Sequence, residues 1–298
     1  MAMREYLIGE VTQDYAQGLM SRKEAMRRLG LLALSGGAAA ALLAACGTDS
    51  DASAGSRPSG TGGTTGGTAT PTGARAEIVR FAGTTGELQA AWAPAAKPKA
   101  AVLVIHENRG LTPHFHDLVG RFAKEGYSAL CVDLLSPEGG TDSFTDPAAA
   151  PTALSKAPLE RLVGDLRAGI GELERRVPNA KIGSVGFCFG GGMTWNLLNA
   201  GEARLEAAVP FYGPAPENPD FSKAKAAVLA IYGGLDTRVT STRPVVEAAL
   251  VNAGLPHKIL VFEGADHAFF NDTGARFNAT AAGEAWIATL GWFKKYLS

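Results

Sequence analysis

The sequence predicts an α/β domain: a mostly parallel central sheet flanked by helices. Two observations carry this. From about Ala76 onward, short apolar runs alternate with longer segments whose apolar residues recur at helical spacing. Several short runs, such as Ala100–Ile105 (AAVLVI), are apolar throughout, as a strand covered on both faces must be. Ligands of such sheets bind at the carboxyl ends of the strands, so chemistry is to be sought just after each apolar run.

The elements follow in order. Predicted strands at Glu77–Phe81 and Leu88–Ala93 flank a Gly-Thr-Thr-Gly turn. After Ala100–Ile105, a helix is predicted over Phe115–Glu125, with Phe115, Leu118, Val119 and Phe122 on one face and Gly126 as its stop. Ser128–Val132 is the next strand. Ser136–Pro158, rich in Pro, Gly and Asp, reads as an irregular loop, a lid or a solvated excursion. A helix over Leu159–Val177, a strand over Ile182–Phe187 and a helix over Gly190–Asn199 come next. Strands at Ala207–Tyr212, Val228–Tyr232 and Lys258–Phe262 are expected, with a helix at Arg243–Asn252. The last helix covers about Ala281–Leu297, with Trp286, Leu290, Phe293 and Leu297 inward.

The first quarter reads differently. Residues 29–45 (LGLLALSGGAAAALLAA) are uncharged and follow Arg22, Lys23, Arg27 and Arg28, as in an export signal. The run is short for a membrane-spanning helix, which needs about 20 apolar residues. Leu43-Ala44-Ala45-Cys46 resembles a lipoprotein box, in which Cys46 is lipidated. Ser21-Arg22-Lys23 with Arg27-Arg28 resembles a twin-arginine signal, though Lys stands at the second Arg position. In residues 47–74, Gly, Thr and Ser supply 19 of 28 positions. Such a segment is a flexible tether with a reach of about 30 Å. The expected division is therefore an export signal (1–45), a lipidated Cys46 with tether (46–74) and a folded domain (75–298), held outside the cytoplasm.

Composition excludes several classes. With 28 Lys+Arg against 29 Asp+Glu, no basic excess favours nucleic acid. Three cysteines cannot build a disulfide framework. The 37 glycines exceed the ordinary share of roughly 7%, and beyond the tether they gather at strand ends.

One of these junctions carries chemistry. Gly186-Phe187-Cys188-Phe189-Gly190 joins a predicted strand to a predicted helix. It has the form of a nucleophile elbow, G-x-S-x-G, with Cys in place of Ser. Asp236 follows the strand Val228–Tyr232, and His267 follows Lys258–Phe262. The order nucleophile, acid, histidine is that of α/β-hydrolases. Cys188 would attack a carbonyl carbon, His267 would move the proton and Asp236 would orient the imidazole. Asp266 is a rival acid, but its adjacency to His267 makes a facing geometry unfavourable.

The chain here resembles the dienelactone hydrolase family over about Ile78 to Leu297. The resemblance rests on Val104-Ile105-His106-Glu107-Asn108-Arg109-Gly110-Leu111, Ala123-Lys124-Glu125-Gly126-Tyr127, Val132-Asp133-Leu134-Leu135, the elbow, Tyr232-Gly233-Gly234-Leu235-Asp236 and Asp266-His267-Ala268-Phe269. It implies an α/β-hydrolase fold and a Cys-His-Asp triad acting on lactones or related esters. It also implies that Glu107 contacts the resting thiol and influences its ionisation, and that the backbone N–H groups of Asn108 and Phe189 form the oxyanion hole. The family arginine shortly after the catalytic His is missing from His267-Ala268-Phe269-Phe270-Asn271, so a broader ester or lactone specificity is expected. Arg109 and Arg276 are candidate substitutes.

Other residues weigh less. Trp195 and Phe269 are candidate pocket walls or core. His106 lines the pocket or is structural, Cys131 reads as core and His257 as structural. His114, His116 and Asp117 more readily open a helix than bind metal. The expectation is an enzyme without cofactor or metal, acting on a small-molecule ester or lactone, with no nucleic-acid partner and membrane contact only through a lipid on Cys46. The alternatives are a general carboxylesterase or thioesterase, a non-catalytic tethered binding protein on this scaffold, and a thiol redox sensor at Cys188.

Overall fold

The computed structural model describes residues 3–46, 76–146 and 148–298. The predicted tether therefore lies outside the described residues. The described residues fall into two compact units, one of residues 8–46 and one of residues 3–7, 76–146 and 148–298.

The larger unit contains the predicted sheet. After helix α1 (Met3–Ala16), which begins in this unit, and helices α2 (Arg22–Leu31) and α3 (Gly36–Cys46) of the other, the chain enters β1 (Glu77–Ala82) and β2 (Glu87–Ala93). It continues through β3 (Ala100–Ile105), α4 (Pro113–Lys124), β4 (Tyr127–Val132), α5 (Ala149–Lys156), α6 (Leu159–Arg176), β5 (Ile182–Phe187), α7 (Phe189–Asn199) and β6 (Leu205–Phe211). It ends with β7 (Ala227–Gly233), α8 (Thr237–Thr240), α9 (Arg243–Asn252), β8 (His257–Phe262) and α10 (Ala279–Leu297).

The eight strands form one sheet in the order β1-β2-β4-β3-β5-β6-β7-β8. The β1–β2 and β2–β4 pairs are antiparallel and the other five pairs parallel. Every residue of β3, β4, β5 and β7 is buried, which is why those runs carry no polar alternation. Helices α4 and α10 pack together through Phe122, Trp286 and Phe293. Helix α6 lies on β3 and β4, where Gly169 faces Val132, Leu103 and Leu130. Trp286 and Leu290 are only half-buried. Ala281, Ala282, Ala285 and Thr289 complete the inward face of α10 instead.

The stretch Ser136–Pro158 departs from the expected irregular loop. It holds two one-turn 3₁₀ segments, Ser136–Glu138 and Thr141–Ser143, followed by α5. The cause is Asp133, buried at the end of β4. Its carboxylate accepts from Leu135 N (3.0 Å), Thr141 N (2.7 Å) and Thr141 Oγ1 (2.8 Å), so the chain folds back around it. Arg161 adds a tie by donating to Leu134 O and pairing with Glu138 and Asp165.

The smaller unit differs from a single apolar segment. The run 29–45 is divided between α2 and α3 by a break at Leu32–Ser35, where Ala33 takes φ 59°. Ala25, Leu29, Ala39 and Leu43 make a small core with Ile8, Val11, Met20 and Leu34 against it. Ser21 caps α2 by accepting from Glu24 N. Arg27 and Arg28 both pair with Glu24 and hold its carboxyl down at about 2. Among the described residues no helix is long and apolar enough to cross a membrane. Residues 3–7, the first turn of α1, group with the larger unit.

Replacing Asp133 by Ala is expected to lower stability by about 3 kcal/mol, since it leaves several buried donors unpaired. Urea unfolding would show a lower midpoint, and limited proteolysis faster cleavage between Ser136 and Asp146; an unchanged midpoint would count against this role.

Candidate active site

The elbow lies where β5 meets α7. Cys188 is the N-cap of α7 with φ 56° and ψ −117°, a left-handed conformation that a non-glycine residue adopts only under constraint. Its N–H donates to Phe211 O on β6 and its carbonyl accepts from Gly192 N. The spacing of the glycines follows from the crossing of strand and helix. A Cβ on Gly186 would stand 2.0 Å from Gly190 O, and one on Gly190 would stand 2.2 Å from Ile105 O on β3. Cys188 is almost fully buried. Phe189 opens the helix, in the first turn, where N–H groups lack an intrahelical acceptor.

The acid and the imidazole come from the next two loops. Asp236 caps α8, its Oδ1 accepting from Val239 N (3.2 Å). His267 Nδ1 lies 2.6 Å from Asp236 Oδ2, with both side chains buried. Leu235 N donates to Ala265 O, which fixes the two loops against each other. Asp266 is otherwise engaged: it accepts from the His267 backbone N–H (2.6 Å) and lies 3.6 Å from Arg276 Nε. Asp236, not Asp266, thus meets the ring. Cys188 Sγ and a ring nitrogen of His267 lie within 4.8 Å.

The charges reinforce one another. Burial disfavours the His267 imidazolium, but a Cys188 thiolate and the Asp236 carboxylate outweigh it and raise the pKa well above the usual histidine value. Burial pushes the Asp236 carboxyl up, but the charges of His267 and Arg238 overcome this and lower it. The His267 contribution to stability is present below its unfolded pKa of about 6.5 and is lost only as pH rises through the raised folded value. That of Asp236 is present above about 3.9 and is lost as pH falls through the lowered one.

Glu107 follows β3, the strand beside β5. Its Oε2 accepts from Asn271 Nδ2 (2.8 Å) and its Oε1 from the Tyr212 hydroxyl (3.5 Å). These two bonds orient the carboxylate that the resemblance sets against the resting thiol. Burial, then the charges of Glu107 and Cys188, push the Tyr212 phenol well above its ordinary value, so it stays a donor. The Cys188 thiol also lies beside Tyr6, whose hydroxyl is 3.0 Å from Sγ and 3.1 Å from His267 Nε2.

Geometrically, this constellation can present a nucleophile, a proton carrier and a buried orienting carboxylate to one reacting centre. The comparisons with known proteins agree on the scaffold. The model of the dienelactone hydrolase family matches residues 89–297. The chain belongs to the dienelactone hydrolase family. It is accordingly a hydrolase of ester or lactone bonds. A relative in Escherichia coli O157:H7, named "Putative carboxymethylenebutenolidase", is 32% identical over 215 residues, covering 67% of this chain and 78% of that protein. One of the same name in Saccharolobus solfataricus is 30% identical, covering 63% of this chain and 86% of the relative. A crystal structure titled "Putative Dienelactone Hydrolase", from Klebsiella pneumoniae, superposes with a TM-score of 0.67 at 29% identity, over 74% of this chain and 98% of that one. A dienelactone hydrolase from Anabaena variabilis shares the fold at 19% identity, with a TM-score of 0.59 over 75% of this chain and 100% of that one.

The remaining sequence candidates fall into place around this dienelactone hydrolase core. Asn108 is half-buried on the loop after β3 and Arg109 beside it is exposed. Trp195 is not a pocket wall: it is fully buried and stacks on Phe221. Phe269 is also fully buried, against Phe211, Tyr212 and Phe262. His106 is structural, because Leu134 N donates to its Nε2, leaving its Nδ1 to donate to Glu107 O. Burial lowers its pKa and keeps it neutral. Cys131 is core, its thiol pushed up by burial. His257 Nδ1 bonds Leu255 O. His114 bonds Asp272, which also pairs with Arg121, itself paired with Asp117. Cys46 ends α3, and its side chain lies outside the described residues.

Sequence reasoning missed Tyr6, Tyr212 and Asn271. Asn271 was readable from its place in the departing stretch after His267, whereas Tyr212 read as the last residue of a predicted strand.

Two outcomes follow. Gly190→Ala should destabilise by roughly 3 kcal/mol, because backbone rather than a movable side chain blocks the Cβ. Gly264→Ala, exposed with nothing within 4 Å of its Cβ, should stay within about 0.5 kcal/mol; equal urea midpoints for the two would contradict the crossing argument. Asp236→Asn should move the NMR titration of the His267 ring to lower pH than in the wild type, and a titration left in place would deny the carboxylate its part.

Proposed function

We propose that Cys188, His267 and Asp236 act as nucleophile, proton carrier and orienting acid in hydrolysing small esters or lactones through a thioester intermediate. The 2.6 Å bond between buried His267 and Asp236, beside an elbow cysteine held at φ 56°, carries this reading. The Cys188 thiolate attacks the carbonyl carbon and forms the C–S bond. The oxyanion is received by backbone N–H groups, for which Phe189 at the start of α7 and Asn108 after β3 are positioned by their places in the chain. As the C–O bond breaks, His267 Nε2 gives its proton to the leaving oxygen. Neutral His267 then takes a proton from water, which attacks the thioester. The acid leaves, the C–S bond breaks and the thiolate–imidazolium pair is restored.

Glu107 sets the local negative charge beside the thiol. Asn271 supplies a neutral amide where the family resemblance has an arginine, which favours neutral esters and lactones over a carboxylate-bearing dienelactone. We also retain, as a proposal from the sequence alone, export and lipidation at Cys46. Mass spectrometry of the membrane fraction would test this; an unmodified Cys46 would end it.

A panel of chromogenic esters and lactones tests the enzymatic proposal. Wild type should give an acyl adduct on the Cys188 peptide, and Cys188→Ala should lose about 10⁴-fold or more in kcat. Retained turnover in Cys188→Ala would refute the nucleophile. Ligand binding without turnover of any ester would favour a non-catalytic binding protein.

A further inference from the structure

Tyr6 is fully buried in the unit that holds the catalytic candidates. Its hydroxyl stands 3.0 Å from Cys188 Sγ and 3.1 Å from His267 Nε2. An oxygen within hydrogen-bond reach of both nucleophile and proton carrier occupies the place where a leaving-group oxygen or an attacking water must sit. The ring is held as well as the hydroxyl. The Arg238 guanidinium lies over it, 4.4 Å from the centroid, and Arg238 Nη1 reaches the Tyr6 carbonyl at 3.5 Å. The His267 ring lies 6.2 Å away at a tilt of 57°.

We propose that Tyr6 is an intramolecular plug of the active site, which seats its phenol in an aryl-accepting subsite between Arg238 and His267. The chemistry is self-consistent. With His267 protonated and Cys188 ionised, the hydroxyl accepts from Nε2–H and donates to Sγ, so it stabilises the ion pair while excluding substrate from it. Nothing in the contact needs to be strong. A segment on the same chain acts at a high effective concentration, of millimolar order for short tethers, so modest affinity keeps the site filled. Catalysis through Cys188 rests on the proposed function; occupancy of the thiol by Tyr6 does not. On the export proposal, cleavage before Cys46 would also remove Tyr6, leaving the precursor closed and the mature domain open.

The test uses the full chain as wild type, Tyr6→Ala and Glu5→Gln. Glu5 is the exposed neighbour of Tyr6 on α1. Two rates are read: alkylation of Cys188 by iodoacetamide, followed on its peptide by mass spectrometry, and kcat/KM for p-nitrophenyl acetate. Tyr6→Ala should raise the alkylation rate about tenfold or more, as expected when a competent state rises from a minor to a major population. Glu5→Gln should match wild type. Millimolar 4-cresol, which mimics the tyrosine side chain, should reverse the gain in Tyr6→Ala and leave wild type unchanged. Equal alkylation rates in wild type and Tyr6→Ala would overturn the plug. So would an equal gain in Glu5→Gln, which would trace the effect to loosening of the helix rather than to the phenol. Faster alkylation without turnover of any ester would uphold the plug while refuting the hydrolytic reading. Turnover equal in wild type and Tyr6→Ala, with equal alkylation, would do the reverse.

Discussion

The crossing of β5 and α7 at Cys188 is the constraint on which the rest of the site depends. A residue held at φ 56° carries about 1–3 kcal/mol of strain, and here neighbouring strands hold it. Cys188 N donates to β6, and Gly190 lies against β3 so closely that no side chain fits. Parallel pairing of β3, β5 and β6 therefore does two things at once. It offsets the strain, and it brings the loops after β3 and β6 to either side of the thiol. Those loops carry Glu107 and Tyr212. The next strands outward, β7 and β8, bring Asp236 and His267 in turn. The order of chemical groups along the sheet edge is the order of the strands.

The carboxylates around this edge differ by environment, not by type. Asp236 is buried and meets the imidazole and the Val239 N–H, so it stabilises positive charge on the ring. Asp266, one residue from His267, is committed to a backbone N–H and to Arg276. Glu107 receives neutral donors. Three carboxylates within one loop cluster thus have three tasks, and only the one facing Nδ1 can set the tautomer of His267.

Most of the scaffold was legible because it rests on local patterns. All-apolar runs gave the buried strands, and the elbow glycines gave the crossing, since a steric requirement at fixed spacing leaves a mark in the sequence. That Asp236 and His267 would lie together was legible from their places after successive strands, and their side chains meet at 2.6 Å. What was not legible depends on contacts distant in sequence. Tyr6 meets Cys188 across a separation of 182 residues. Tyr212 reads as the last apolar residue of a strand, and nothing local shows that its hydroxyl turns toward Glu107. Helix α5 was hidden by the prolines within and beside it, Pro147, Pro151 and Pro158, which argue locally against a helix. Trp195 shows the reverse: an aromatic near the nucleophile reads as pocket wall or core, and its burial and stacking on Phe221 place it in the core.

The neutral character of Asn271 has a consequence for substrate charge. A guanidinium at that place would both bond and neutralise Glu107, and would remain to receive an incoming carboxylate. The amide keeps the hydrogen bond at 2.8 Å but supplies no charge. Burial first, and then the charge of Glu107, raise the Tyr212 phenol that bonds it. A second anion brought beside Glu107 would be repelled by it. The other arginines do not restore the balance: Arg276 pairs with Asp266, Arg109 is exposed, and Arg238 lies over the Tyr6 ring. On the proposed reaction, this arrangement favours neutral acyl groups, whose negative charge would appear only at the oxyanion, over substrates that carry a carboxylate.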